Sequence, residues 1–215
     1  MPSLTMPSLT LSNLIALGLI SLLSACAVGP GVKPTADSAT QAMHQAHLQR
    51  IAEIRHFTLQ GRIGVQTEGK GFSGGLHWNH QAANDDIALY SPLGGQVASI
   101  KKSIGQITLE DANGNSMSAN DAETLTQTAL GWQLPLTGLA DWSLGRPSGG
   151  SAILDSTWDA QGLLTTLNQD GWKIEYQNYS EQNGYLLPGK IILKSEKVNL
   201  KLLIESWLKV ESLQN

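Results

Sequence analysis

From Phe57 onward the chain alternates. Phe57, Leu59, Gly61, Ile63 and Val65 interleave with Thr58, Gln60, Arg62 and Gly64, the period-two signature of a strand with one buried face. Phe72, Gly74, Leu76 and Trp78 repeat it against Ser73, Gly75, His77 and Asn79. Ile87/Leu89, Val97 to Ile100 and Ile107/Leu109 continue a meander, cut by turn signals at Asn84-Asp85, Ser91-Pro92-Leu93-Gly94-Gly95 and Asn113-Gly114. Ahead of the first strand the spacing is helical: Met43, Ala46/His47, Leu48, Ile51 and Ile54 predict a helix from Ala39 to about Arg55 with a modest apolar stripe.

The meander is then interrupted. Asn120-Asp121-Ala122-Glu123 has capping-box spacing and opens a helix through Leu125 and Ala129-Leu130, which Gly131 stops. A second short helix, Thr137 to Leu144, enters after Pro135 and ends at Gly145. Strand patterns resume at Ile153–Trp158, Leu163–Gln169, Trp172–Tyr179, Lys190–Lys194 and Asn199–Val210, with Asp170-Gly171 as a tight hairpin turn. An antiparallel sheet of about ten strands tends to curl. Its apolar face needs cover, and the inserted helices around Trp132 and Trp142 supply it. Such a curved wall around a short plug leaves room for an apolar ligand at one mouth.

The first 25 residues carry no charged side chain and hold the apolar run Leu14 to Leu22, followed by Leu23-Ser24-Ala25-Cys26. That is the layout of a bacterial lipoprotein signal ending in a lipobox, too short to span a membrane comfortably. Cys26 is the only cysteine, so it forms no internal disulfide, and lipidation explains its presence. No Lys or Arg precedes it, and Met1 to Thr5 is repeated as Met6 to Thr10. The expected organisation is a signal peptide over 1–25, a lipidated tether over 26–38 rich in Gly and Pro, and one domain over 39–215. The formal charge of -4, with 14 Lys+Arg, makes nucleic acid a poor partner.

Catalytic motifs fail on context. Gly71-Phe72-Ser73-Gly74-Gly75 matches G-x-S-x-G, but that motif needs a strand-to-helix turn and a later histidine. Here the strand pattern continues, and no histidine follows His80. His77 and His80 are three apart on a strand and so face opposite ways, which leaves them as solvated surface residues rather than metal ligands. Asp85-Asp86 reads as a turn, and His44 and His47 as a polar helix surface. The sequence predicts no enzyme, metal or cofactor.

Six tryptophans beside two phenylalanines indicate a wide interior. Pro92 and the Gly94-Gly95 pair allow the turn at Leu93 either to protrude or to fold back. Taken in order, several fragments resemble a known family. They include Gly61-Arg62-Ile63-Gly64-Val65, Phe72-Ser73-Gly74-Gly75-Leu76-His77-Trp78, Ser91-Pro92-Leu93-Gly94, Gly131-Trp132-Gln133-Leu134-Pro135-Leu136, Asp141-Trp142-Ser143-Leu144-Gly145-Arg146-Pro147 and Gln169-Asp170-Gly171-Trp172. With the ending Leu200 to Trp207, this set resembles the outer-membrane lipoprotein receptor family LolB over nearly the whole mature chain.

The resemblance implies a mainly β fold: an unclosed half barrel of ten to eleven antiparallel strands with a helical lid, an N-terminal helix and a hydrophobic cavity. It implies a monomer anchored through Cys26 to the inner leaflet of the outer membrane, facing the periplasm. Its implied partners are the periplasmic carrier LolA and lipoprotein acyl chains. The family's apolar membrane-insertion residue falls on Leu93. Candidate cavity walls are Phe57, Leu59, Ile63, Leu76, Trp78, Leu89, Trp132, Trp142 and Trp172. Two rivals stay open, an assembly lipoprotein without a lipid cavity and an esterase using Ser73.

Overall fold

The computed structural model describes residues 36–212. Cys26, the signal segment and most of the tether lie outside the described residues. Helix α1 (Ala36–Ile51) leads into β1 (Ile54–Gln66), β2 (Gly71–Gln81), β3 (Asn84–Tyr90), β4 (Gln96–Ser103), β5 (Gln106–Asp111) and β6 (Ser116–Ala119). Helices α2 (Ala122–Leu130) and α3 (Leu136–Ser143) interrupt the strands. Then come β7 (Ile153–Trp158), β8 (Leu164–Gln169), β9 (Trp172–Gln177), β10 (Ser180–Gln182), β11 (Tyr185–Leu187), β12 (Lys190–Lys194) and β13 (Asn199–Ser212).

Eleven strands form one antiparallel sheet in the order β6-β5-β4-β3-β2-β1-β13-β12-β9-β8-β7, while β10 and β11 pair as a separate hairpin. The two ends, β6 and β7, do not pair with each other, so the barrel is unclosed. The sheet is joined along its middle by β1 and β13, whose register slips between Thr58/Leu59 and Gln60/Gly61. Such bulges bend and twist a strand, and here they sit where the sheet must curve. The predicted alternation holds along β1, with Phe57, Leu59, Gly61, Ile63 and Val65 buried.

Local chemistry explains the helices. Asp121, not Asn120, caps α2, accepting from the Thr124 amide at 2.7 Å, so the cap lies one residue later than the box spacing predicts. Gly131 ends the helix at φ 85, a left-handed conformation that suits glycine. Asp170 and Gly171 both have positive φ (54 and 75) between paired Gln169 and Trp172, as an Asp-Gly hairpin turn requires. The helices share a single hydrophobic core with the sheet, and α2 lies along β5 and β6. The described residues form one compact unit carrying this whole core, as a domain able to fold by itself requires. Among the described residues no helix is long and apolar enough to cross a membrane.

Three expectations need correction. The apolar stripe of α1 is displaced: Met43 is 43% exposed, whereas His44 is 4% exposed and faces the domain. Asp85 is no turn residue. It is buried in β3, and the turn falls at Ala82-Ala83 instead, with Ala82 at φ 55. His80 is likewise buried, at 8% exposure, against its expected surface position.

Candidate functional site: a lidded apolar interior and its rim

Strand register defines two ends of the sheet. The β1–β2, β3–β4, β5–β6, β8–β9 and β12–β13 connections share one end, since Val65 pairs with Phe72 and Leu200, Tyr90 with Gln96, and Ala98 with Asp111. We call this end the mouth. The β2–β3 and β4–β5 turns lie at the other.

All nine candidate wall residues lie in the one core shared by sheet and lid, Trp142 on α3 itself. Phe57, Leu59, Trp78 and Trp142 are 0% exposed, and Ile63, Leu76, Leu89, Trp132 and Trp172 are at most 6% exposed. In this closed arrangement they pack against one another and against the lid. Phe57 meets Trp78 edge-on at 5.1 Å and Trp207 at 5.4 Å, and stacks on His80 at 4.8 Å. Trp142 donates its indole N–H to Gln169 Oε1 at 2.9 Å, and Gln169 Nε2 donates to the Ser148 and Ser151 carbonyls. A glycine at 138 leaves space for the Trp142 ring to lie back over the preceding helical turn.

Open volume appears at the mouth. A cleft of about 420 Å³ opens between β2, β4 and the end of α2, lined by Phe72, Leu89, Val97, Leu130 and Trp132 among others. Phe72 and Trp132 stack across it with centroids 6.3 Å apart. Sequence reasoning missed Phe72 as a lining residue, although its place in the β2 alternation was legible.

Beside this cleft the β3–β4 connection is a braced turn. Ser91 N donates to Gly95 O at 2.7 Å, Gly94 N to Ser91 O at 2.9 Å, and Gly95 N to Ser91 Oγ at 3.2 Å. Pro92 follows Ser91 and Gly94 takes φ +87, which suits a turn opening on proline and closing on glycine. The turn holds Leu93 at 98% exposure. Ile104 is 88% exposed in the two-residue turn between β4 and β5, at the opposite end.

Polar side chains pin the lid. Asp85, with a wholly buried side chain, accepts from Trp78 Nε1 (2.9 Å), His80 Nδ1 (2.7 Å) and Lys102 Nζ (3.1 Å). Burial pushes its carboxyl up, but the bond from His80, the Lys102 charge and the Trp78 N–H outweigh it and hold the group below the usual carboxylate range. Lys102 also donates to the Leu136 carbonyl at 3.3 Å, joining the sheet to the start of α3. Arg146 ties the other end of α3 to the α1–β1 junction, bonding Asp141 at 2.8 Å and the Ile51 and Ile54 carbonyls. Helix α1 is seated by His44, whose ring stacks on Trp158 at 4.3 Å and whose Nδ1 donates to Gly162 O at 2.8 Å.

Ser73 is exposed on a continuous strand and pairs with Gly64, so the G-x-S-x-G match has no nucleophile elbow. His77 stands four residues along the same strand, about 13 Å away. Among the described residues no group of three or more His, Cys, Asp or Glu side chains could hold a metal ion.

Comparison with known proteins agrees with this architecture. Residues 55–207 match the family model described as outer membrane lipoprotein LolB. The outer-membrane lipoprotein LolB of Pseudomonas savastanoi pv. phaseolicola is 34% identical over 195 residues, 91% of this chain and 95% of that protein. The protein of the same name from Pseudomonas aeruginosa PAO1 is 33% identical over 193 residues, 90% of this chain and 94% of that one. In fold, the chain is similar to the LolA superfamily protein NE2245 from Nitrosomonas europaea, with a TM-score of 0.51 at 11% identity over 80% of this chain and 94% of that one. An unclosed antiparallel sheet, an inserted two-helix lid and a match covering most of the chain together make it a member of the outer-membrane lipoprotein LolB family.

Proposed function

We propose that this protein is an outer-membrane lipoprotein receptor. It is anchored through a lipid on Cys26 to the inner leaflet, facing the periplasm as a monomer. It accepts lipoproteins from the soluble carrier LolA and delivers their acyl chains to the membrane. The observation that carries the reading is the conjunction at the mouth: an apolar cleft opening on the lidded core, beside a leucine that a rigid turn keeps in water.

The energetics require shelter rather than catalysis. Each buried methylene is worth roughly 0.8 kcal/mol, so two or three acyl chains resist release into water by tens of kcal/mol. Transfer must therefore keep the chains covered throughout and run downhill from carrier to receptor to bilayer. An apolar cavity of about 150 Å³ accepts a benzene ring. The mouth cleft, at about 420 Å³, offers room for a single tail, and further tails require the lid to yield. Leu93 then contacts the bilayer and lets the chains pass into it.

The test is delivery from a carrier–lipoprotein complex to liposomes. Leu93→Glu should still take cargo from the carrier but fail to release it into the vesicles. Ile104→Glu, at another strongly exposed position at the far end, should deliver normally. Normal delivery by Leu93→Glu would remove the insertion role. Failure of acyl chains to crosslink to a photoreactive group at Trp132 would favour an assembly lipoprotein without a lipid cavity.

A further inference from the structure

A second cleft, of about 350 Å³, lies on the outer face of the sheet directly beneath the Leu93 turn and shares Ser91, Pro92 and Gly94 with it. Its walls are polar: Gln60 and Arg62 from β1, His77 from β2, Tyr90 from β3 and Glu205 from β13. Its floor is glycine. Gly75 faces it, where a Cβ would meet Tyr90 Cβ at 3.4 Å.

Its charges are unspent. Among the described residues, neither Arg62 nor Glu205 makes an ion pair or a side-chain hydrogen bond, and both are exposed. Arg62 pairs with Leu203, so Glu205 is its diagonal neighbour on the same face. That separation is roughly 7–8 Å between backbones, and a molecule carrying both signs of charge can bridge it. One side offers donors for an anion, the Arg62 fork with the Tyr90 hydroxyl and Gln60 amide. The other offers a carboxylate for a cation.

We propose that this cleft binds a zwitterionic phosphoethanolamine headgroup, the phosphate at Arg62 and the primary ammonium at Glu205. The bilayer is the source because the cleft is continuous with the Leu93 turn. With Leu93 in the apolar layer, the cleft stands at headgroup depth; to this extent the inference rests on the proposed membrane role of Leu93. A bound headgroup orients the mouth against the leaflet, which a single inserted leucine cannot do.

The test uses the folded unit 36–215, without its lipid, floated with vesicles of phosphatidylethanolamine mixed into phosphatidylcholine, or of phosphatidylcholine alone. The wild type should bind the mixed vesicles at least about fivefold better. Arg62→Gln/Glu205→Gln should fall to the phosphatidylcholine level, and Leu93→Glu should lose binding to both. A double variant that keeps the full preference overturns the site. In a membrane-free arm, glycerophosphoethanolamine should shift the NMR signals of His77 and Tyr90, and inorganic phosphate should do so far less. Equal shifts with phosphate overturn the zwitterion assignment. Shifts with glycerophosphoethanolamine alongside normal vesicle binding by Leu93→Glu keep the headgroup pocket while refuting the Leu93 reading. Such shifts without any vesicle preference overturn the bilayer as source.

Discussion

Replacing Asp85 by Asn keeps the shape of the side chain and removes its charge. The native carboxylate receives three donors, and two of them, the Trp78 and His80 N–H groups, are themselves buried. Trp78 and His80 both bond Oδ1 and Lys102 bonds Oδ2, so an amide oxygen at the first position keeps the two ring donors while its NH₂ faces the Lys102 ammonium. Breaking one side of a buried ion pair costs about 3–5 kcal/mol. Lys102 is 25% exposed and recovers part of its loss in water. A net destabilisation of about 3 kcal/mol follows, which for a domain of this size lowers Tm by roughly 6–12 °C.

The pH dependence gives a second handle on the same group. Asp85 is held below its ordinary value in the native state, so its contribution is complete above the unfolded carboxylate range and is lost as pH falls through the lower native value. The gap in stability between wild type and Asp85→Asn should therefore be full at pH 7 and narrow below about pH 4. Urea unfolding at several pH values measures this directly. A gap under 1 kcal/mol at pH 7, or one that stays constant into acid, would refute the assignment of Asp85 as the charged hub beneath the lid.

Helix α1 should loosen in mild acid. Burial and the neighbouring His44 and Arg50 lower the pKa of His47 against an opposing Asp159, and its Nε2 is buried without a partner. A lowered histidine stabilises the docked helix fully above about pH 6.5 and less as pH falls through its native value. Hydrogen exchange in α1 should accordingly rise between pH 7 and pH 5 relative to β1, and unchanged protection would contradict it. Gly162→Ala should unseat the same helix. The residue has φ +80, and a Cβ there would lie 2.6 Å from the Met43 carbonyl carbon, so about 2 kcal/mol or more is expected. Its signature is a change in Trp158 fluorescence and faster proteolysis near residues 52–53, while retention of both wild-type signals would count against it.

The architecture was legible because alternation and turn chemistry are local. Asp170-Gly171 announces its own geometry, and the long strands β1, β2 and β13 print their buried face in every second residue. Short edge elements do not. Strand β6 is exposed along Ser116 to Ser118 and so has no apolar period, and β10 and β11 are three residues each. The dipeptide Asn183-Gly184, with φ 50 and 83, was the available sign of that hairpin. Asp85 was misread because Asn84-Asp85-Asp86 imitates a turn, whereas the true turn uses alanines. Its meaning lies in Trp78 and His80 on β2 and in Lys102 seventeen residues away on β4, and only register reveals them. His44 was misread for a related reason: an apolar pattern is blind to a ring that seats a helix by stacking and one hydrogen bond.

The lid is held unevenly, and under the proposed receptor role this decides which helix would yield to an acyl chain. Helix α3 is pinned at its start by Lys102 on the Leu136 carbonyl and at its end by Arg146 through Asp141. It also buries Leu136, Leu139 and Trp142 in the core. Among the described residues, α2 receives no side-chain hydrogen bond from the sheet, and its own buried set is Ala122, Leu125 and Thr126. At roughly 1.5–3 kcal/mol per large apolar side chain, exposing Leu125 together with Trp132 costs on the order of 5 kcal/mol, and exposing the α3 set about half as much again before its polar ties are counted. Against water, a dozen methylenes entering the mouth cleft gain about 10 kcal/mol; against a carrier's cavity only the difference between the two sites counts. Under the proposed receptor role, the more weakly held α2 would yield first, about the left-handed joint at Gly131, while α3 stays bound. A fully apolar attachment at both helices would give no such order, because hydrophobic contact has no direction and any leaf could lift first.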